Sequence, residues 1–415
     1  MLAWLLVPAV LATVLAWAAA RLVRRRARGR RGGRLAAVLV AVLAWLAVAA
    51  GGLQVWARAS LDSSGIARAI VWMDADVDDR LRFPELPVPA GGTPLPLTAG
   101  SLPAGVLDEV TVPGGGTEDL AALLDRTQTT GFVVLRGNEV LLERYGAGGT
   151  RETPMTSFSV AKSVLSTLVG LAIDRGAIGG LDDPVTDHVP ELLDRDPRFG
   201  AITLRHLVTM SSGLSYEEEG LPWSDDALTY YDVDLRRLAL SAEVAQEPGR
   251  EWLYCNYNPL LVGLVLERAV GEPVEDFAAE ALWGPMGAEA DASWSADSTA
   301  SGFPKMESGF NAVARDWARF GLLFAREGRA GDRQVVPAAW VAEATARDTS
   351  ADPAEHYQYW WWVDTEREGR FYARGNKGQY VYVDPATDVV VVRLGREEGV
   401  DDWPAVLRDV ADRVG

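Results

Sequence analysis

The sequence predicts an α/β chain of the α+β kind, with one antiparallel β-sheet flanked by helices, a helical subdomain beside it, and two transmembrane helices ahead of both. Three observations lead there. Strand signals sit at the two ends of the body, as a hairpin at 131–145 and as four runs between 356 and 395. Helical patterning fills the interval between them. Two long uncharged apolar runs precede everything else. A sheet whose halves come from opposite ends of a chain must meet in space, with the first and last helices packed on it.

Taken in order, residues 1–57 read as a membrane anchor with spans at about 2–20 and 35–56. The loop between them, 21–34, holds eight arginines and no acid. A short basic loop favours the cytoplasmic side, so both termini and the acidic body face outward, a two-span cell-membrane protein with an extracytoplasmic domain. An alternative takes the arginine-rich loop and second run as a signal peptide cleaved near "AVAAGG", which leaves the first run without a purpose. Residues 1–61 carry nine arginines and no acid, leaving 31 basic against 58 acidic side chains in the remainder. A body that acidic does not bind nucleic acid through its general field. One cysteine, Cys255, excludes an internal disulfide framework and a cysteine-built zinc site.

Residues 58–118 are rich in Pro and Gly and read as a connector with little secondary structure. The main domain is expected over 119–415. "DLAALLDRT" suggests a short helix, and "GFVVLRGNEVLLERY" is two β-rich runs joined by Gly-Asn. A helix runs from Val160 to near Gly176, and a mostly helical insertion covers about 177–345. Strands follow at 356–363, 370–375, 379–384 and 389–395, then a terminal amphipathic helix. Trp360, Trp361 and Trp362 are consecutive on a strand and must alternate faces, so one can line a cleft.

The chemistry begins in "SFSVAKSVLS". Of 40 basic side chains only Lys162, Lys305 and Lys377 are lysine. A guanidinium cannot give up its proton in a protein, whereas an ammonium can. With Ser159 at a helix N-terminus, Lys162 shares its face three residues on. Serine needs an adjacent base to become a nucleophile, and the positive end of the helix favours the anion that develops. A second element, "YCN", offers Tyr254 as a proton relay and Asn256 to orient the lysine or hold a substrate amide. A third, "YARGNKGQYVYVDP", is a strand, tight turn and strand able to supply a backbone N–H to an oxyanion. In isolation each also reads as chance spacing, a capped turn and a plain hairpin. The histidines His188, His206 and His356 have bland surroundings, no G-x-S-x-G elbow is present, and the acidic runs 217–219 and 224–226 lack metal-ligand spacing.

In sequence order these elements resemble the serine β-lactamase and penicillin-recognising superfamily, with its S-x-x-K, Tyr/Ser-x-Asn and K-T-G motifs. "GAIGGLDDPVTDHVPEL", "ITLRHLVTMSSGL", "ARDWARFGLLFAREG" and "GQYVYVDPATDVVVV" look like the class C β-lactamase-related serine hydrolases, which include esterases and 6-aminohexanoate-dimer hydrolases. The resemblance implies a β-lactamase/transpeptidase-like fold and an acyl-enzyme route without metal or organic cofactor. Ser159 would be nucleophile, Lys162 base, Tyr254 relay and Asn256 a support or substrate contact. The third motif departs from the family, with no K-T-G or H-x-G. The strand before the turn aligns "ARG" with the triplet, so Asn376 N–H joins Ser159 N–H as the oxyanion hole. Aligning "NKG" instead moves that role to Gln379. Tyr216, Gly375, Lys377 and Gln379 are the expected substrate contacts. The altered triplet weakens the case for binding a β-lactam or D-alanyl carboxylate. The expected activity is hydrolysis of an amide or ester in a small-molecule or peptide-like substrate. The alternatives are a penicillin-binding D,D-peptidase acting on peptidoglycan and a catalytically silent binding or sensor domain.

Overall fold

The computed structural model describes Trp17, Arg21, residues 32–348 and residues 354–415. They divide into two compact bodies. One holds the described residues up to Asp74 together with Glu219–Val233, and the other runs over Ala75–Glu218 and Asp234–Gly415.

In the first body a helix spans Gly32–Ala59, and its segment Val38–Ala59 is long and apolar enough to cross a bilayer. It is the one such helix among the described residues and answers to the expected span at 35–56. The run at 2–20 lies outside the described residues except for Trp17, as does most of the loop 21–34. A short helix, Gly65–Trp72, follows, capped by the Ser64 hydroxyl accepting from Ala67 N. The segment Glu219–Val233 packs on it through the helix Asp225–Tyr231. There Arg68 donates to the Tyr231 carbonyl at 3.4 Å, and the Tyr231 hydroxyl donates to the Met73 carbonyl at 3.1 Å.

The second body is organised by an eight-stranded sheet. Its strands are β1 (Thr98–Ala99), β2 (Thr129–Arg136), β3 (Glu139–Tyr145), β4 (Tyr357–Gln358), β5 (Trp361–Val363), β6 (Phe371–Gly375), β7 (Gln379–Asp384) and β8 (Val389–Gly395). Their order is β4-β5-β6-β7-β8-β2-β3-β1, antiparallel except where β1 joins β3. The early hairpin and the late strands meet where β8 pairs β2, with Val391 opposite Val134 and Val392 opposite Val133. Four helices matter for the site: α1 (Val160–Asp174), α2 (Tyr257–Val270), α3 (Ala314–Ala325) and α4 (Trp403–Val414).

Every residue of β7 and β8 is buried, which explains their unbroken apolar runs: both faces of the sheet are covered. On one face Leu120, Leu124, Trp403, Leu407 and Val410 pack against Phe132, Val134, Tyr382 and Val391. Burying such side chains stabilises the fold by roughly 1.5–3 kcal/mol each. On the other face α3 lies close enough that a methyl at Gly321 would fall 2.6 Å from Val390. Only a glycine permits that approach.

Two segments differ from expectation. The Pro-rich stretch 58–118 is more built than its composition suggests. Glu85–Val88 edges a second, four-stranded sheet with Ala292–Ser295, Phe310–Ala312 and Met155–Thr156, while Glu109–Val112 and Gly116–Asp119 form a hairpin. Pro87 is tolerated because its strand is outermost, where a missing N–H breaks no ladder. The run at 356–363 is two strands, not one. Tyr359 and Trp360 turn the chain with φ of 40° and 66°, a left-handed pair that a sequence without Gly or Asn does not announce. Trp360 and Trp361 are buried, and Trp362 is half-buried.

Candidate active site

α1 starts directly after Ser159, and Val160 to Ala172 are all buried, so its first turn is held rigidly in the core. Phe158, just before the serine, has φ of 49°, a costly conformation for a residue with a Cβ and one that turns Ser159 out at the helix end. Lys162 is 1 % exposed. Its Nζ donates to Ser159 Oγ at 2.9 Å and to the Glu307 carbonyl at 2.8 Å, and lies 4.9 Å from the centroid of the Tyr254 ring. Two acceptors and a π face hold the ammonium head, and none of them is a carboxylate. The Ser159–Lys162 separation suits proton transfer in either direction.

Tyr254 presents its ring, rather than its hydroxyl, to Lys162. That ring belongs to an aromatic wall: it stacks on Trp362 at 6.3 Å and meets Tyr357 edge-on at 6.0 Å. Burial and the adjacent Tyr254 hydroxyl push the Tyr357 phenol well above the ordinary tyrosine range. Asn256 stands at the N-terminus of α2 without a side-chain capping bond, and its Nδ2 donates to the Tyr216 hydroxyl at 2.7 Å. The expected support of the lysine by Asn256 is therefore taken by the Glu307 carbonyl, while Asn256 and Tyr216 hold each other.

On the opposite wall, β6 brings Gly375 against the nucleophile's backbone. A methyl there would lie 2.2 Å from Ser157 O and 3.1 Å from Ser159 N, so nothing larger than glycine fits. This close approach brings the "ARG" triplet, rather than "NKG", against Ser159. Arg374 alternates to the far face, over Trp362 at 5.8 Å and bonded to Glu398 at 3.1 Å. Lys377 stands on the turn with φ of 61°. Gln379 is fully buried, its Nε2 donating to the carbonyls of Gly395 and Asn376 and its Oε1 accepting from Gly395 N. Its side chain is committed to the hairpin instead of a substrate.

Residues 118–411 match the β-lactamase family. The chain belongs to the β-lactamase family. It is 30% identical over 307 residues to a 6-aminohexanoate-dimer hydrolase of Paenarthrobacter ureafaciens, covering 69% of this chain and 76% of that one. A Bacillus anthracis protein named for the same activity superposes with a TM-score of 0.71 at 22% identity, over 80% of this chain and 90% of its own. A penicillin-binding protein of Bacillus halodurans gives 0.56 at 16% identity, over 71% and 99%. At those identities the two structures speak for the fold alone. The family and its curated relative make this chain a serine hydrolase of amide or ester bonds.

Within this β-lactamase-family site, sequence reasoning missed Glu307 and Arg393. Glu307 supplies a main-chain oxygen, to which no motif points, yet a clue stood two residues upstream. Lys305, one of only three lysines, is 1 % exposed and paired with the Glu307 carboxylate at 3.3 Å. All three lysines thus attach to the same neighbourhood, through Ser159, Glu307 and the β6–β7 turn. His206 is a capping residue, its Nδ1 accepting from Thr203 N, with burial holding its imidazole below the ordinary histidine range. His356 packs edge-on against Trp252.

Proposed function

We propose that the chain is a membrane-anchored, extracytoplasmic serine hydrolase that cleaves a short amide or ester through an acyl-serine. The single observation that carries the acyl-serine chemistry is the buried Lys162 Nζ at 2.9 Å from Ser159 Oγ. Lys162 takes the hydroxyl proton as Oγ attacks the substrate carbonyl. The resulting oxyanion is received by the backbone N–H groups of Ser159 and Asn376, aided by the positive end of α1. Tyr254, after its hydroxyl turns toward Ser159, passes the proton to the leaving amine or alcohol. Water then hydrolyses the acyl-serine by the reverse sequence. Tyr216 with Asn256 flanks the substrate on one side, and Gly375 and Lys377 flank it on the other. The curated relative's name supports a linear amide as substrate class. Ala373 stands where the family triplet carries lysine, which argues against a carboxylate-bearing β-lactam or D-alanyl substrate.

In the proposed layout residues 1–57 are the anchor, 58–118 the connector and 119–415 the hydrolase, with the arginine-rich loop cytoplasmic. Three experiments test the reading. A fluorophosphonate probe should label the wild type and not Ser159→Ala; equal labelling of both sinks the acyl-serine. Protease added to intact cells should digest the hydrolase domain, and full protection overturns the outward topology. Capture of fluorescent penicillin would turn the substrate class toward the D,D-peptidase alternative.

A further inference from the structure

The mechanism leaves unused a side chain of unusual cost. Arg393, on β8, is fully buried, and none of its five hydrogen bonds goes to a carboxylate. Nε donates to Thr129 Oγ1 at 3.1 Å, and Nη2 to the carbonyls of Thr127 and Glu397 at 2.7 and 2.8 Å. Nη1 donates to the carbonyls of Lys377 and Gly378 at 3.0 and 2.7 Å. The guanidinium lies 4.3 Å over the Trp403 ring. Burial pushes its pKa down to about 9, against the pull of Tyr380 and Glu398, so it stays cationic near neutral pH. A buried cation without a bonded anion is destabilising by itself, and this one also dictates its neighbours. A methyl at Gly378 would fall 1.8 Å from Nη1, and one at Gly395 would fall 2.4 Å from Cζ.

What those bonds hold is the turn between β6 and β7. Gln379 Nε2 takes the Asn376 carbonyl and Arg393 takes the next two, so each carbonyl of 376–378 is tied from behind. The same hairpin meets the Ser159 backbone in front, at Gly375. Lys377, with a Cβ in the left-handed region, would relax if released. We infer that Arg393 is a positioning residue for the oxyanion hole, setting the Asn376 N–H against the Ser159 N–H by fixing the turn that carries it. This rests on the reading of Asn376 N–H as an oxyanion donor. A donor misaligned by a relaxed turn loses the stabilisation that exists only in the transition state, so turnover suffers and substrate affinity does not.

The test uses the full chain with p-nitrophenyl esters as substrate and phenylboronic acid as the tetrahedral-adduct mimic. Arg393→Lys keeps a cation but cannot make the five-bond fork. Gly395→Ala displaces the guanidinium through a methyl whose three nearest atoms all belong to that guanidinium. Both should lower kcat by roughly 100-fold, the scale of losing one oxyanion donor. KM should stay within about threefold, and the boronate should weaken in step with kcat. Wild-type kcat and boronate affinity in either folded variant overturn the inference, as does a change confined to KM. If Arg393→Lys does not fold, Gly395→Ala decides alone. The two readings fail separately: activity surviving in Ser159→Ala removes the acyl-serine itself, whereas an inactive Ser159→Ala beside a fully active Gly395→Ala removes only the role of Arg393.

Discussion

The wall of the cleft formed by α1 and the wall formed by the β6–β7 turn both hold polar groups in dry surroundings, by different means. On α1 the partners are neighbours in sequence: Ser159 and Lys162 meet because one helical turn brings positions three apart onto one face. The backbone beneath them is satisfied within a buried helix, so the pair needs little else than the Glu307 carbonyl. At the turn nothing is local. Its carbonyls are tied by Arg393 and Gln379, and its approach to Ser159 depends on the absence of a side chain at Gly375. A short-range arrangement survives wherever its helix survives, whereas the second exists only once three strands have closed around it.

If that contrast is right, the two walls should break differently. The largest effect is expected for Lys162→Arg, which keeps the charge and the helix but removes the removable proton. We expect a normally folded protein with kcat down by ~10³-fold on ester and amide substrates, within the range for a lost general base. Full turnover would remove lysine as the base and with it the local character of that wall. Gly375→Ala should come next, because its methyl strikes the Ser157 carbonyl, which cannot move out of the way. Overpacking of that kind costs about 1–3 kcal/mol. A lower melting temperature together with a kcat loss of roughly 100-fold is therefore expected, the latter on the scale of an oxyanion donor. An unchanged melt and unchanged kcat would show that the wall tolerates displacement. The smallest effect is expected for Lys377→Ala. The turn uses that residue's carbonyl, which alanine retains, so kcat/KM on uncharged esters should change by no more than about twofold. A loss confined to substrates bearing a carboxylate would instead assign the ammonium a substrate contact.

Much of this contrast was legible beforehand, and its limits follow the same physics. Strands near both ends of the body, the Gly-Asn hairpin at 137–138 and the helix after Ser159 are period and turn signals, carried by neighbouring residues. The left-handed Tyr359–Trp360 turn was not legible, because aromatic side chains do not advertise positive φ. Nor was the small sheet, whose strands are two to four residues long and drawn from four distant places. Glu307 escaped because it acts through its main chain, and Arg393 because a buried arginine looks like any other in a chain that carries 37.

By itself, then, the amino-acid order settled the class of sheet, the apolar run of 35–56 and the pairing of a serine with a scarce lysine, all consequences of spacing along one element. Which triplet faces Ser159, which carbonyl steadies Lys162 and what holds the β6–β7 turn were decided by tertiary structure alone. Those contacts join residues far apart in the chain, and their geometry is created only when buried polar groups must find partners as the core closes.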